Sequence, residues 1–365
     1  MTDSPRVPAN SEAIPTFLRT LGGEPLHLDE DPEIVAHYGS VEAEYEALVS
    51  GVGVVVRNWP DHLRIGGEDR VAFLNGKVTC ELAGLEPGAG AYGFLLDAKG
   101  HIRADATIRV FEDSIWLELP AGLGPRVVEH LSRYIVVDRV EIEPLPGLVP
   151  LTLVGPRLEA MLTSLSGLGA LPDHPWQTRR TEVDTAGEML VSADGRWGMP
   201  ALTFWPSAAN AEALIRHLLE AGRPFGAKLV GLQALDRARI EAGIPWFGQD
   251  FGESNLPQET GLEEAVSYTK GCYLGQEVVA RLHYRGQVSR VLCGLTLDVA
   301  EVPEPGTFLV LEGRQAGSLT SVTRSNRLGS VLGLAILQRR AAEVGTRLEV
   351  EGGGHAQVVM SPLKT

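Results

Sequence analysis

The sequence predicts an α+β protein that ends in a small all-β unit, and three observations predict it. Short apolar runs of strand length mix with a few amphipathic helical stretches up to Ile142. A proline-punctuated break follows at Pro144–Pro150. From Cys293 onward only short apolar runs between glycine-rich turns remain, which reads as a barrel or sandwich of about 70 residues.

The elements follow in order. Residues 1–25 are interrupted by prolines and hold no continuous apolar core, so the expectation is a disordered opening, neither signal peptide nor transit peptide. Ser40 caps a helix whose Val41, Tyr45, Leu48 and Val49 share one face, and Gly51 ends it. Val52–Val56 is a strand. Strands are then expected at Leu63–Ile65, Ala91–Leu96, Ala104–Phe111, Ser114–Leu119 and Asp138–Ile142, with helices at Glu68–Leu74 and Arg126–Ile135. Beyond the break, Leu151–Val154 is a strand. Ala211–Gly222 is the clearest helix: Ala211, Leu214, Ile215, Leu218 and Leu219 form one stripe, with Asn210 as cap and Gly222 as stop. A further helix spans Lys228–Ala242, ending at Gly243 ahead of Pro245.

Composition narrows the function classes. With 365 residues, two or three domains are expected. Residues are 44% hydrophobic and 22% charged, an ordinary globular balance. The net charge of −15 argues against a surface that grips nucleic acid, because such binding is largely phosphate neutralisation. Three cysteines without a CxxC spacing give neither a disulfide framework nor a thiolate zinc site, and point to a reducing compartment. No apolar run reaches the roughly 18–20 residues that span a bilayer, so a cytoplasmic chain is expected. P-loop, GxSxG and HExxH motifs are absent, and the nine histidines show no ligand spacing, so no metal site is expected.

Three segments carry potential chemistry. In Lys270-Gly-Cys-Tyr-Leu-Gly-Gln-Glu277, with Arg281, Arg285 and Arg290 behind it, residues 270–290 hold four Lys/Arg against one Glu, 4 − 1 = +3. Such a local reversal of sign suits an anionic ligand, and a thiol beside Lys270 can gain thiolate character; equally, Cys272 can be a small core residue and the arginines a solvated face. Arg239 lies seven residues after Leu232 and four after Leu235, at the edge of the apolar stripe. It either turns inward to an acceptor or pairs with Asp236 three residues back, which is worth about 0.3–0.5 kcal/mol on an exposed helix. Asp97–Asp105 reads as strand–turn–strand with Lys99-Gly100 at the bend; Asp105 is either a desolvated acid/base or an ordinary turn residue.

These residues resemble a known family. The octapeptide 270–277 with Arg281 is similar to the signature of the YgfZ-type folate-binding proteins. These are relatives of the glycine-cleavage T protein (aminomethyltransferase, GcvT), and a mitochondrial iron–sulfur assembly factor belongs with them. The likeness runs through His37-Tyr-Gly-Ser40, Glu44-Tyr-Glu-Ala47, Gly66-Gly-Glu-Asp-Arg70, Phe73-Leu-Asn-Gly76, Asp97–Asp105 and Arg239-Ile-Glu-Ala-Gly243 to the terminal β unit, about nine-tenths of the chain. It implies a three-domain cloverleaf with a C-terminal β-barrel around a funnel for tetrahydrofolate. The expected units are a disordered 1–25, a discontinuous folate-binding domain (26–58 and 145–285), an inserted α+β domain (59–144) and the barrel (286–365). It also implies Arg239 against the pterin, Lys270, Tyr273, Gln276, Glu277 and Arg281 on the cofactor side, Cys272 at the funnel mouth as a thiol, and Asp105 as the second chemical group. Two motifs of T protein are altered: a paired aspartate is Ala104, and a Gly-Glu-Asp-Gly-x-Glu segment reads Gly198-Met-Pro-Ala-Leu-Thr203. The resemblance therefore implies a YgfZ-type accessory protein using tetrahydrofolate, or a one-carbon derivative, to maintain or repair iron–sulfur proteins and through them tRNA modification. Its partners would be folate and iron–sulfur proteins or their assembly machinery, without membrane. The alternatives are a glycine-cleavage aminomethyltransferase, which would be a folate-dependent transferase, and a ligand-free scaffold.

Overall fold

The computed structural model describes residues 13–26, 34–165, 167–184 and 186–360. The fold is α+β, built on two open sheets and a closed barrel. The first sheet has the order Thr178–Val183, Gly187–Ala193, Ala201–Trp205, Leu151–Val154, Gly53–Val56, Lys228–Leu229. Its neighbours are antiparallel except for the last pair. Because Gly53–Val56 pairs with Leu151–Val154, the chain leaves this sheet and returns to it about 95 residues later, a long loop whose closure entropy grows only logarithmically with length. Between the two, an antiparallel sheet forms in the order Gly90–Leu96, Ile102–Val110, Ile115–Leu119, Asp61–Gly66, Glu141–Pro144.

The C-terminal unit is a closed six-stranded barrel, which decides between barrel and sandwich. Its strands run Arg290–Asp298, Ser330–Gln338, Arg314–Ser325, Phe308–Leu311, Arg347–Val350 and His355–Met360. Gly317 and Gly333 lie inside strands, not at the glycine-rich turns between them. A Cβ on Gly317 would meet the Ile336 carbonyl oxygen at 2.1 Å, so the glycine serves close strand approach.

The Val41–Ser50 helix forms as expected, with the Ser40 hydroxyl accepting from the Ala43 N–H. Ala208–Gly222 buries the stripe Ala211, Leu214, Ile215 and Leu218. Three expectations are corrected. The opening is ordered from residue 13: Ala13–Thr20 is a helix that buries Ile14, Phe17 and Leu18, spaced i, i+3, i+4, in the core of the first sheet; residues 1–12 lie outside the described residues. The helix expected at Lys228 starts only at Leu232, since Lys228–Leu229 extends the sheet parallel to Gly53–Val54. Gly231 intervenes, donating its N–H to Glu44 Oε2, and a Cβ there would lie 2.4 Å from the Ala36 carbonyl oxygen. Asn210 is not the cap; Ser207 takes that place, and the Asn210 amide donates to the Ala186 carbonyl. The strands at 178–205 and the helix Gln276–Arg285 carry no periodicity strong enough to be read in advance.

Candidate functional site

A cavity of about 390 Å³ opens where the two sheets meet the Leu232–Glu241 helix. Strands of the inserted sheet contribute Tyr92, Asp105 and Glu118; the end of Gly53–Val56 contributes Arg57 and Trp59; the 194–200 loop contributes Asp194, Arg196 and Trp197. Leu235 and Arg239 project from the helix, and Trp246 and Phe247 from the segment behind it.

Asp105 is central. It is not a turn residue but lies inside Ile102–Val110, opposite Phe94, 8% exposed. The turn itself is held by Asp97, whose Oδ1 accepts from the N–H groups of Lys99 and His101. Asp105 Oδ2 accepts from the Tyr92 hydroxyl (2.7 Å) and from Arg196 Nη1 (3.0 Å), while Oδ1 is buried without a protein partner. Arg196 Nη2 donates to the Pro245 carbonyl, its Nε has no protein partner, and its Cζ stands 3.9 Å from the centroid of the Tyr92 ring. Burial, against the partial relief given by Arg196, pushes the Tyr92 hydroxyl well above its ordinary pKa, so it acts as a donor. Trp176 lies parallel to Tyr92 (15°, centroids 6.0 Å apart) and takes a left-handed backbone, φ 64°. Such a conformation costs a tryptophan about 1–3 kcal/mol and marks backbone held in place by its surroundings.

Beneath these groups lies a buried charge network. Arg57 bonds Glu118; Arg109 Nη2 donates to Asp194 Oδ1 (2.8 Å); Arg109 Nη1 and His62 Nε2 each stand 3.6 Å from Glu118 Oε2. Burial raises the Glu118 carboxyl, but Arg57 and Arg109 outweigh it and hold the group well below the usual carboxylate range.

Arg239 reaches the cavity with its N–H groups engaged, so both readings of it hold in part. Nε donates to Asp236 Oδ1 (2.8 Å), Nη1 to Asp250 and to the Ile244 carbonyl, and Nη2 to Ser321 Oγ (2.6 Å) in the barrel. Its guanidinium also lies 4.8 Å from the Trp246 ring centroid.

The octapeptide is elsewhere: among the cavity-lining residues are Asp105 and Arg239 but not Lys270, Cys272, Tyr273, Gln276, Glu277 or Arg281. Lys270 is buried, and its ammonium donates to the carbonyls of Asn75 (2.8 Å), Val78 (3.1 Å) and Cys80. Burial lowers its pKa. Tyr273 packs with Phe94 and Phe251, and Gln276 donates to the Lys270 carbonyl (3.5 Å). Glu277 and Arg281 are exposed on the Gln276–Arg285 helix, and Cys272 is exposed on the loop before it, not at the cavity wall. The expected positive patch shrinks accordingly. Lys270 is consumed by carbonyls and Arg290 by Glu259, leaving Arg281 and Arg285 exposed. No group of three or more potential metal ligands occurs among the described residues.

The sequence reading passed over Arg57, Arg109, Glu118, Asp194 and Arg196. Arg109 and Glu118 interrupt apolar strands as Ile108-Arg-Val110 and Leu117-Glu-Leu119, an alternation that equally describes a solvated face. The signal available was charge of both signs at adjacent-strand positions, since buried charges require partners.

Known proteins resemble this chain in sequence and in fold. A family model described as the GCVT N-terminal domain matches residues 32–270, and the glycine cleavage T-protein C-terminal barrel domain matches residues 290–364. The chain belongs to the glycine-cleavage T-protein family. It is 27% identical over 339 residues to an aminomethyltransferase of Shouchella clausii, covering 90% of this chain and 91% of that one. It is 28% identical over 343 residues to an aminomethyltransferase of Anoxybacillus flavithermus (90% and 92% covered). It is 26% identical over 336 residues to a putative chloroplastic transferase of Arabidopsis thaliana (92% and 76%). The crystal structure of glycine cleavage system aminomethyltransferase T from Bartonella henselae superposes with a TM-score of 0.85 at 22% identity, covering 96% of each chain, which fixes the shared fold.

Proposed function

We propose that the central cavity binds the bicyclic head of a reduced folate and that the chain is a folate-dependent one-carbon transferase of the aminomethyltransferase kind, working in the cytoplasm. The observation that carries this reading is Asp105: a buried carboxylate with one oxygen fixed by Tyr92 and Arg196 and the other without a protein partner, lining a cavity walled by aromatic rings. A pterin is flat and bears N–H donors, and the cavity volume accommodates it. Bound tetrahydrofolate supplies the nitrogens that accept a one-carbon unit. The protein's part is to orient the ring between Trp246, Trp197 and Leu235, to exclude water, and to present Asp105 Oδ1 as acceptor to a ring N–H. Full-length similarity to proteins named aminomethyltransferase supports the same reading. The division into 26–58 with 145–285, 59–144 and 286–365 is proposed as the set of domains around this site.

A second reading has its own observation. Cys272 is exposed on a loop away from the cavity, whereas Cys80 and Cys293 are buried. That favours the YgfZ-type role, in which the folate-bound protein maintains iron–sulfur proteins, and through them tRNA modification, by a surface thiol.

Calorimetric titration with tetrahydrofolate tests the common part. Wild type should bind, and Asp105→Asn should weaken binding about tenfold, equivalent to about 1.4 kcal/mol. Turnover of an aminomethyl-lipoyl carrier protein to methylene-tetrahydrofolate then separates the readings. Product formation upholds the transferase; binding without turnover selects the accessory role. Absence of binding would leave the ligand-free scaffold.

A further inference from the structure

Charge at the cavity wall is balanced. The lining carboxylates are Asp105, Glu118 and Asp194, the lining guanidiniums Arg57, Arg196 and Arg239, and 3 − 3 = 0. Glu118 bonds Arg57, Asp194 bonds Arg109, and Arg239 bonds Asp236 and Asp250. Asp105 combines a salt bridge with a buried oxygen that has no protein partner, and its countercharge, Arg196, also keeps an N–H without one; Glu118 Oε2 is likewise without a hydrogen bond, but it stands 3.6 Å from both Arg109 and His62. That countercharge is carried by the 194–200 loop, between strands ending at Ala193 and starting at Ala201.

We propose that Arg196 is a specificity-determining residue: by neutralising Asp105 while leaving Oδ1 open, it sets the cavity to accept neutral N–H-bearing heterocycles and to reject cationic ones. The inference rests on the folate reading and names which one-carbon forms the site holds. An open carboxylate without Arg196 would attract a cation strongly in a water-poor cavity. With Arg196 stacked on Tyr92 and bonded to Asp105, a cationic ring meets no net negative charge and stands beside a fixed guanidinium. Tetrahydrofolate, neutral at its ring nitrogens, is accepted. A 5,10-methenyl derivative, an amidinium cation, is not.

The experiment compares two dissociation constants, for tetrahydrofolate and for 5,10-methenyltetrahydrofolate, in mildly acidic buffer in which the cation persists. Wild type should prefer the neutral form. Arg196→Gln should shift the ratio of the two affinities toward the cation by about tenfold or more, and Arg196→Lys, which keeps the charge, should retain the preference. Asp105→Asn, which removes the carboxylate bonded to the guanidinium and leaves Arg196 only the more distant field of Glu264, should move the ratio the other way, and it decides the matter if the glutamine variant does not fold. Binding of both ligands with an unchanged ratio in these variants would overturn the inference alone. A fall in both affinities by one factor would do the same, assigning Arg196 to structure. Absence of binding of either ligand to any of the proteins would overturn the folate reading and this inference with it.

Discussion

At the scale of single residues, identical side chains differ by what surrounds them. Cys80 is buried, and desolvation, only partly opposed by the Lys270 ammonium, pushes its thiol up to about 12. Cys293 is buried in the barrel core, and Cys272 is exposed. Since the thiolate is the nucleophile, iodoacetamide should modify Cys272 in the native protein well before the other two, which should react only on unfolding. Peptide mass spectrometry over a time course checks this; equal labelling of all three would contradict the burial. Lys270 shows the same dependence on surroundings. Its position beside Cys272 reads as thiol activation, yet its three carbonyl partners make it a clamp on residues 75–80.

At the scale of elements, the inserted strands are buried on both faces along most of Ile102–Val110, so apolar alternation does not mark their outer side. Arg109 and Glu118 face the first sheet, not water, and meet Asp194 and Arg57 there. Linkage follows from the depressed Glu118 carboxyl. A group whose folded pKa lies below its unfolded value stabilises the protein above the unfolded value, roughly 4.3, and that stability disappears as pH falls toward the folded value. Wild type should therefore lose denaturation midpoint steadily below about pH 4. Glu118→Gln, which leaves two guanidiniums under-compensated, should be about 3–5 kcal/mol less stable at neutral pH and less sensitive to acid. Urea titrations at neutral and acid pH measure both. A parallel decline of the two proteins would show that Glu118 does not carry the effect.

At the scale of the whole molecule, the barrel is tied to the rest at Asp250, 1% exposed. Its Oδ1 accepts from Thr320 Oγ1 (2.6 Å) and Ser321 Oγ (2.7 Å) of the barrel, and its Oδ2 from Arg239 and the Trp246 N–H. Farther along, Arg327 of the barrel reaches Glu241 and Tyr45. Asp250→Ala would strand a buried guanidinium between helix and barrel. The expected cost is about 3–5 kcal/mol, seen as a lower urea midpoint, and Arg239→Met added to Asp250→Ala should recover part of it. A single variant as stable as wild type would mean that the barrel docks by other contacts. No helix among the described residues is long and apolar enough to cross a membrane.

Local patterns alone determined a good part of this protein. The helices at Val41–Ser50 and Ala208–Gly222, the strands at Leu151–Val154 and Ile115–Leu119, and an all-β C-terminal unit follow from periodicity, caps and turn residues, because such signals act within a few residues of each other. Asp105 and Arg239 stood out as candidates from local sequence, Asp105 at the start of a strand after a turn and Arg239 at the edge of an apolar helical stripe. Only tertiary structure decided that Arg239 is spent on Asp250 and Ser321, that Lys270 holds carbonyls, and that Arg196, 91 residues on in the sequence, meets Asp105 beside Tyr92. Burial and pairing of a charge depend on which distant strand packs over it, and a period of two or 3.6 residues carries no information about that partner.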